Sequence, residues 1–213
     1  MKPATVLLAD DHAIVIEGLR RVLEPTFAVV GAVTDGRALV VATEELDPDV
    51  VVADISMPVL NGIQAAREIR QTNQDVRIVF LTMHSDVVYA SEAFRAGGSA
   101  YVLKSSAGTE ILTAISEALA GRSYTTSALD RRWLKAQIQR NRSSRPGADN
   151  LSHRQREVLQ MAAEGQSTKQ IADTLGLSPR TVEFHRYRVM KSLGLHTIAE
   201  LVQYAIKHHL VVL

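Results

Sequence analysis

Val50-Val51-Val52-Ala53-Asp54 is the stretch whose reading decides the fold. Four small or β-branched apolar residues run without polar alternation and end in a carboxylate. Such a run is the signature of a central strand in a parallel sheet, covered on both faces. Ile55-Ser56-Met57-Pro58 and then Asn61-Gly62 follow, which is loop and turn chemistry. Ligands of open α/β sheets bind beyond the carboxyl ends of the strands, so Asp54 stands where such a sheet does its chemistry.

Outward from that strand the same unit recurs. Residues 5–9 are apolar and end in Asp10-Asp11, and residues 12–23 space Ile14, Leu19, Val22 and Leu23 at helical intervals. Residues 28–33 are a second strand and 36–46 a second helix, ended by Asp47-Pro48 because the residue before proline leaves the α region. Residues 62–71 read as helix, with Ile63, Ala66 and Ile69 on one face. Residues 77–82 are a fourth strand, 86–95 a helix closed by Gly97-Gly98, 100–104 a fifth strand, and 109–119 a helix capped by Gly121. Five strands alternating with five helices predict a doubly wound α/β parallel sheet. In the flavodoxin-like strand order 2-1-3-4-5 its crevice lies between strands one and three.

That order brings Asp10, Asp11 and Asp54 into one crevice. Three carboxylates repel one another unless a cation compensates them, and an all-oxygen ligand set suits Mg²⁺ rather than zinc. Strand four delivers the Thr82 hydroxyl to the same rim, and strand five the Lys104 ammonium. Singly, Asp10-Asp11 is a helix cap, Thr82 a strand residue and Lys104 a solvated strand end. Together they are the parts needed for phosphoryl transfer to a carboxylate.

The chain has 213 residues, enough for two domains, and 46% hydrophobic against 22% charged residues. It has no cysteine, which excludes disulfides, thiolate zinc sites and cysteine nucleophiles. No apolar run approaches the roughly 18 residues of a membrane helix, so a cytoplasmic protein without a membrane partner is expected. The formal net charge of +1 conceals an asymmetry. Residues 1–120 carry 9 Lys+Arg against 16 Asp+Glu, and residues 121–213 carry 15 against 7. A basic second half is a candidate for nucleic acid.

Between the halves, residues 127–140 space Leu129, Trp133 and Ile138 like an amphipathic helix, and residues 141–150 have linker composition. From Leu151 onward, helix caps announce four helices. Ser152-x-x-Gln155, Ser167-x-x-Gln170 and Thr197-x-x-Glu200 read as capping boxes, and Ser178-Pro179 as a cap before proline at the first helical position. Gly165, Gly176 and Gly194 close the first three helices. The second and third, over 168–175 and 179–193, are joined by the short turn of a helix-turn-helix. Ile171, Ala172, Leu175, Val182, Val189 and Leu193 supply their inward face. Arg180, Glu183, Phe184, Tyr187, Arg188 and Lys191 are left outward, a face of aromatics and cations that suits a major groove. The competing arrangement packs Phe184 and Tyr187 on the fourth helix.

Residues 3–120 resemble a two-component receiver domain in Asp10-Asp11, Asp54, Met57-Pro58, Gly62, Thr82 and Lys104. The resemblance implies Asp54 as phosphoacceptor, with Mg²⁺ held by Asp11, Asp54 and the Ser56 backbone carbonyl, and by Asp10 through water. It implies Tyr101 as the aromatic switch, and Ser56 and His84 as positions that tune dephosphorylation. Lys104-Ser105 departs from the Lys-Pro, with a cis bond, of many receivers. Residues 151–211 resemble a LuxR-type DNA-binding domain. The matching residues are Leu151-Ser152-x-Arg154-x-x-Glu157-Val158-Leu159, Gly165-x-Ser167-x-Lys169-x-Ile171-Ala172 and Ser178-x-x-Thr181-Val182-x-x-His185. This implies Lys169 on the DNA backbone, Glu183, Phe184 and Tyr187 facing bases, and Thr181 among the contacts. Glu183 and Tyr187 stand where family members often have lysine, so the target sequence is not inherited.

The expected organisation is a receiver over 1–121, a partly helical linker over 122–150 and a DNA-binding domain over 151–213. Together they resemble a response regulator of the NarL/FixJ type, not an enzyme. The partners so implied are a sensor histidine kinase, double-stranded promoter DNA, RNA polymerase and a second copy on activation. The rival is a phosphatase or nucleotide-binding α/β enzyme. It lacks a G-x-G-x-x-G turn at 10–13 and a general acid at Ser56.

Overall fold

The computed structural model describes residues 2–127, 129, 151–208, 210 and 211. The chain divides into two compact units, Met1–Arg142 and Ser143–Leu213. The expected helix over 127–140 and the linker over 141–150 lie almost wholly outside the described residues. Of them, Ser127 is exposed and Leu129 is buried.

The first unit alternates strand and helix: β1 (Thr5–Ala9), α1 (Ala13–Leu23), β2 (Ala28–Val33), α2 (Gly36–Leu46), β3 (Val50–Ala53), α3 (Gly62–Thr72), β4 (Arg77–Thr82), α4 (Val87–Arg95), β5 (Ala100–Leu103), α5 (Ala107–Leu119) and β6 (Tyr124–Thr125). All pairings are parallel, in the order β2-β1-β3-β4-β5-β6. Val50, Val51, Val52 and Ala53 are each buried because the sheet is covered on both sides. Val51 and Ala53 face the core shared with Leu39 of α2, Ile63 and Ile69 of α3, and Ala90 of α4. Val50 and Val52 face the core shared with Leu19 and Leu23 of α1 and Ile111 and Ile115 of α5. This is the period-two alternation of a strand, and each fully buried valine contributes about 1.5–3 kcal/mol.

The expected five strands are joined by a sixth. Tyr124–Thr125 pairs with Ala100–Tyr101, and Thr126 N–H donates to Tyr101 O at 2.9 Å. Two residues carry no periodic signal, so this strand exists through its partner and not through local pattern. Ile14, expected on the apolar face of α1, is 84% exposed, and Val15, Ile16, Leu19, Val22 and Leu23 carry that face instead.

The loop from β3 to α3 is tightly constrained. Leu60 N–H donates to Pro58 O at 2.7 Å around Val59, whose φ of +67° makes this a γ-turn with a β-branched residue in the left-handed region. Gly62 follows because a Cβ there would meet Asp54 O at 2.0 Å. Asn61 caps α3 by accepting from Gln64 N–H.

The second unit contains α6 (His153–Ala163), α7 (Thr168–Leu175), α8 (Pro179–Leu193) and α9 (Ile198–Lys207). Capping boxes form at Ser152/Gln155 and Ser167/Gln170, and Ser178 caps α8 with Pro179 at its first position. The third expected box is only half formed. Thr197 accepts from Glu200 N–H, but the Glu200 carboxylate reaches past it to His196 N–H at 2.6 Å. Val158, Met161, Ile171, Val182, Val189, Leu201 and Ala205 are all buried, giving the unit its own core. Among the described residues no helix is long and apolar enough to cross a membrane.

Candidate functional site

The register Ala9↔Ala53 puts the next residue of each strand, Asp10 and Asp54, side by side at the sheet's carboxyl edge. Backbone bonds fix both: Asp54 N–H donates to Ala9 O at 2.8 Å, and Asp10 N–H to Val33 O at 3.1 Å. The register Thr82↔Leu103 ends β4 and β5 at the same edge, with Lys104 one residue beyond the pair. Lys104 Nζ lies 2.8 Å from Asp54 Oδ2 and 2.7 Å from Asp10 Oδ2, so one ammonium spans the two buried carboxylates. Residues 104–106 then form a short 3₁₀ turn, with no cis peptide at Lys104-Ser105.

Burial raises the Asp54 carboxyl above its usual range, Lys104 opposes the rise, and the charge of Asp10 adds to it. Burial also works against the Lys104 ammonium. Its hydrogen bonds to Asp10 and Asp54 outweigh that cost and hold it above its ordinary value. Asp54 is 3% exposed, and its Oδ1 has no hydrogen-bond partner among the described residues. A buried carboxylate oxygen left in that condition is costly and is suited to receive a cation or an electrophile. Asp10, Asp11, His12 and Asp54 each offer a ligand atom, all within 4.8 Å of one another. This donor set fits a divalent cation.

Beside that cluster, four groups converge on His84. Ser56 Oγ lies 2.9 Å from His84 Nε2, the Tyr101 hydroxyl donates to His84 O at 2.8 Å, and His84 N–H donates to Thr82 Oγ1 at 3.3 Å. The His84 ring stacks on Tyr89 with centroids 4.5 Å apart. Tyr101 is fully buried, and burial raises its phenol well above its usual value, keeping it a donor.

In the second unit, Arg180, Glu183, Phe184, Tyr187, Arg188 and Lys191 are all exposed on α8. Phe184 is 58% and Tyr187 62% exposed, which excludes their packing into the core of the unit. The Arg188 guanidinium lies 5.9 Å from the Phe184 ring centroid. Lys169 is exposed in the first turn of α7, where the helix end favours anions. Thr181 is half-buried, and its hydroxyl lies 2.8 Å from Ser178 Oγ, so it serves the helix cap as well.

Residues 6–116 match the family described as response regulator receiver domain, and residues 149–205 match bacterial regulatory proteins of the luxR family. The chain belongs to the response regulators. Members with this pair of domains are transcription regulators that bind DNA, not enzymes. The regulator is 35% identical over 207 residues to response regulator UvrY of Escherichia coli K12, covering 96% of this chain and 94% of UvrY. It is 30% identical to response regulator GacA of Pseudomonas aeruginosa, covering 97% of each. Among solved structures it resembles RcsB of Salmonella enterica serovar Typhimurium bound to a promoter in the presence of the phosphomimetic BeF3⁻. That likeness has a TM-score of 0.56 and 28% identity, covering 95% of this chain and 98% of RcsB.

Sequence reasoning did not single out two residues of this regulator. His12 joins the acidic cluster, and its signal was its position directly after Asp10-Asp11. Arg186 Nη1 donates to Thr168 Oγ1 at 3.3 Å, tying α8 to the start of α7; nothing in its helical spacing marked it.

Proposed function

We propose that Asp54 accepts a phosphoryl group from a sensor histidine kinase, and that this controls binding of promoter DNA through α8. The observation that carries the reading is the asymmetry of Asp54: Oδ2 is held by Lys104 while Oδ1 is buried and unpartnered. Oδ1 forms the bond to phosphorus as the bond from phosphorus to the donor's imidazole breaks. Lys104 and the Thr82 hydroxyl take up charge on the transferring oxygens. Asp11, Asp54 and the Ser56 carbonyl, with Asp10 through water, would hold Mg²⁺, which supplies the remaining positive charge. Ser56 and His84 set how long the acyl phosphate survives, and Tyr101 is the switch residue.

A route from this site toward the second domain is supported by hydrogen bonds around β6. Ser106, two residues beyond Lys104, lies 3.1 Å from Thr126 Oγ1 and donates to Glu110, which also accepts from Ser127. Movement of the Lys104 turn is therefore felt by the chain leaving β6. Residues 1–121 receive the signal, 122–150 connect, and 151–213 read double-stranded DNA. Lys169 holds a phosphate, and Arg180, Thr181, Glu183, Phe184, Tyr187, Arg188 and Lys191 line the groove. The protein acts in the cytoplasm, pairs with a second copy on activation, and works with RNA polymerase.

The test is intact-mass measurement after incubation with acetyl phosphate. One phosphoryl group is expected in the presence of Mg²⁺ and none after Asp54→Asn. Labelling that persists in the Asn variant, or without a divalent ion, refutes the assignment.

A further inference from the structure

Burial of Val182 and Val189 sets the phase of α8 and leaves Phe184 and Arg188 in solvent, one turn apart on the same ridge. The two side chains do not point away independently. The Arg188 guanidinium lies 5.9 Å from the centroid of the Phe184 ring, and the His185 ring meets that ring from another side at 5.8 Å, inclined by 66°. Phe184 is thus braced by its neighbours while it stays 58% exposed.

We propose that Phe184 and Arg188 act as one reader of a thymine next to a guanine, the ring against the thymine 5-methyl and the guanidinium on guanine O6 and N7. The inference rests on the reading of α8 as the helix that enters the major groove, and it names the base step that the helix recognises.

Chemistry assigns each half of the pair. An exposed phenylalanine gains from DNA only where DNA is apolar, and in the major groove that place is the thymine methyl. Phosphates offer the ring nothing, so it belongs against base edges. Arg188, held over the ring, is carried to the same depth. Contact with a ring face leaves the N–H donors of a guanidinium free, and guanine presents two acceptors that match their fork.

Geometry makes the two bases neighbours. The separation of 5.9 Å exceeds one base-pair rise of about 3.4 Å and falls short of two. The stacked arginine is also ordered before DNA arrives, so it loses less side-chain freedom on binding than an unsupported one.

The test uses the full chain treated with acetyl phosphate and Mg²⁺, and a duplex selected with it from a random pool. The selected site should contain a thymine beside a guanine. Uracil in place of that thymine removes only the methyl and should weaken wild-type binding about fourfold, the contribution of one buried methyl. In place of the guanine, 7-deazaguanine removes N7 and should weaken binding about tenfold. Phe184→Ala should lose the response to uracil, and Arg188→Ala the response to 7-deazaguanine. The claim of one reader lies in the coupling. In Phe184→Ala the response to 7-deazaguanine should fall from about tenfold to about threefold, because the ring no longer holds the guanidinium.

A selected site without this step, or wild type indifferent to both base changes, overturns the assignment. So does Arg188→Ala with an intact response to 7-deazaguanine and a salt dependence lower by about one ion, since Arg188 then holds a phosphate. A full response to 7-deazaguanine in Phe184→Ala overturns the single reader. Failure of the phosphorylated wild type to enrich any sequence is a different result: it overturns the reading of α8 as the groove helix, and this inference with it.

Discussion

Ser56 Oγ lies 2.9 Å from His84 Nε2, joining the loop after β3 to the loop after β4 beside the acceptor carboxylate. The bond occupies Nε2 of the His84 ring. Ser56→Ala should therefore free His84 as a general base and shorten the lifetime of the acyl phosphate by about tenfold, below the usual range for a positioned acid–base group. Ser56→Ala combined with His84→Ala should restore a lifetime at or above that of wild type. Phosphate release from purified phosphoprotein measures both. Equal lifetimes for Ser56→Ala and the double variant would remove the base from the mechanism.

Gly62 and Gly18 should respond in opposite ways to the same substitution. A Cβ on Gly62 would stand 2.0 Å from Asp54 O, backbone that cannot move without displacing the acceptor. Gly18, inside α1, has nothing within 4 Å of its Cβ position. Gly62→Ala should cost about 3 kcal/mol. Gly18→Ala should stabilise by about 0.5–1 kcal/mol. Urea denaturation of both variants reads the difference, and a harmless Gly62→Ala would show that the loop is not packed this tightly.

Why so much of the site could be read from the chain follows from where its residues sit. Asp10, Asp54, Thr82 and Lys104 each follow or end an apolar strand, and parallel topology fixes which strand ends meet. What was not legible depends on partners distant in sequence. Lys104 spans Asp10 as well as Asp54, and His84 gathers Ser56, Thr82, Tyr89 and Tyr101; side-chain reach decides these, and periodicity does not encode it. Ile14 illustrates the converse, an apolar residue at helical spacing that the first turn of α1 leaves outside the core. On α8, burial of Val182 and Val189 sets the phase of the helix, so the exposure of Phe184 and Tyr187 was correctly implied.

Asp49 links stability to pH at the opposite end of the sheet. Its Oδ2 accepts from Thr5 N–H at 2.7 Å and from Thr5 Oγ1 at 2.8 Å, and these bonds hold its carboxyl below the ordinary 3.8. A pKa lowered on folding contributes stability that is present above the unfolded value and is lost as pH falls through the folded value. Asp49→Asn should cost about 1 kcal/mol at pH 7, the charge-assisted bonds being discounted for their exposure. The gap between wild type and variant should hold down to about pH 4 and close below it. A gap that is constant to pH 2 would mean that the carboxylate charge contributes nothing.

Lys169 and Glu183 should separate affinity from sequence preference. A phosphate contact carries no sequence information, so Lys169→Ala should weaken all sites alike and lower the salt dependence by about one ion. Glu183 stands on the exposed face of α8 beside Phe184, where base edges would lie. Glu183→Lys should change preference at one base pair by about 1–3 kcal/mol. A binding panel over single-base variants of a selected site distinguishes the two. If Glu183→Lys merely rescales every affinity by one factor, this face of α8 does not read bases.

Whether chemistry at Asp54 governs the second domain is settled by one titration. Duplex DNA selected from a random pool would be titrated with wild type and with Asp54→Asn, each with and without acetyl phosphate and Mg²⁺, and followed by fluorescence anisotropy. Phosphorylation should tighten binding by the wild type at least tenfold, about 1.4 kcal/mol, and leave Asp54→Asn unchanged. Equal affinity of the wild type with and without the donor, or the same gain in Asp54→Asn, would contradict control of DNA binding by this carboxylate.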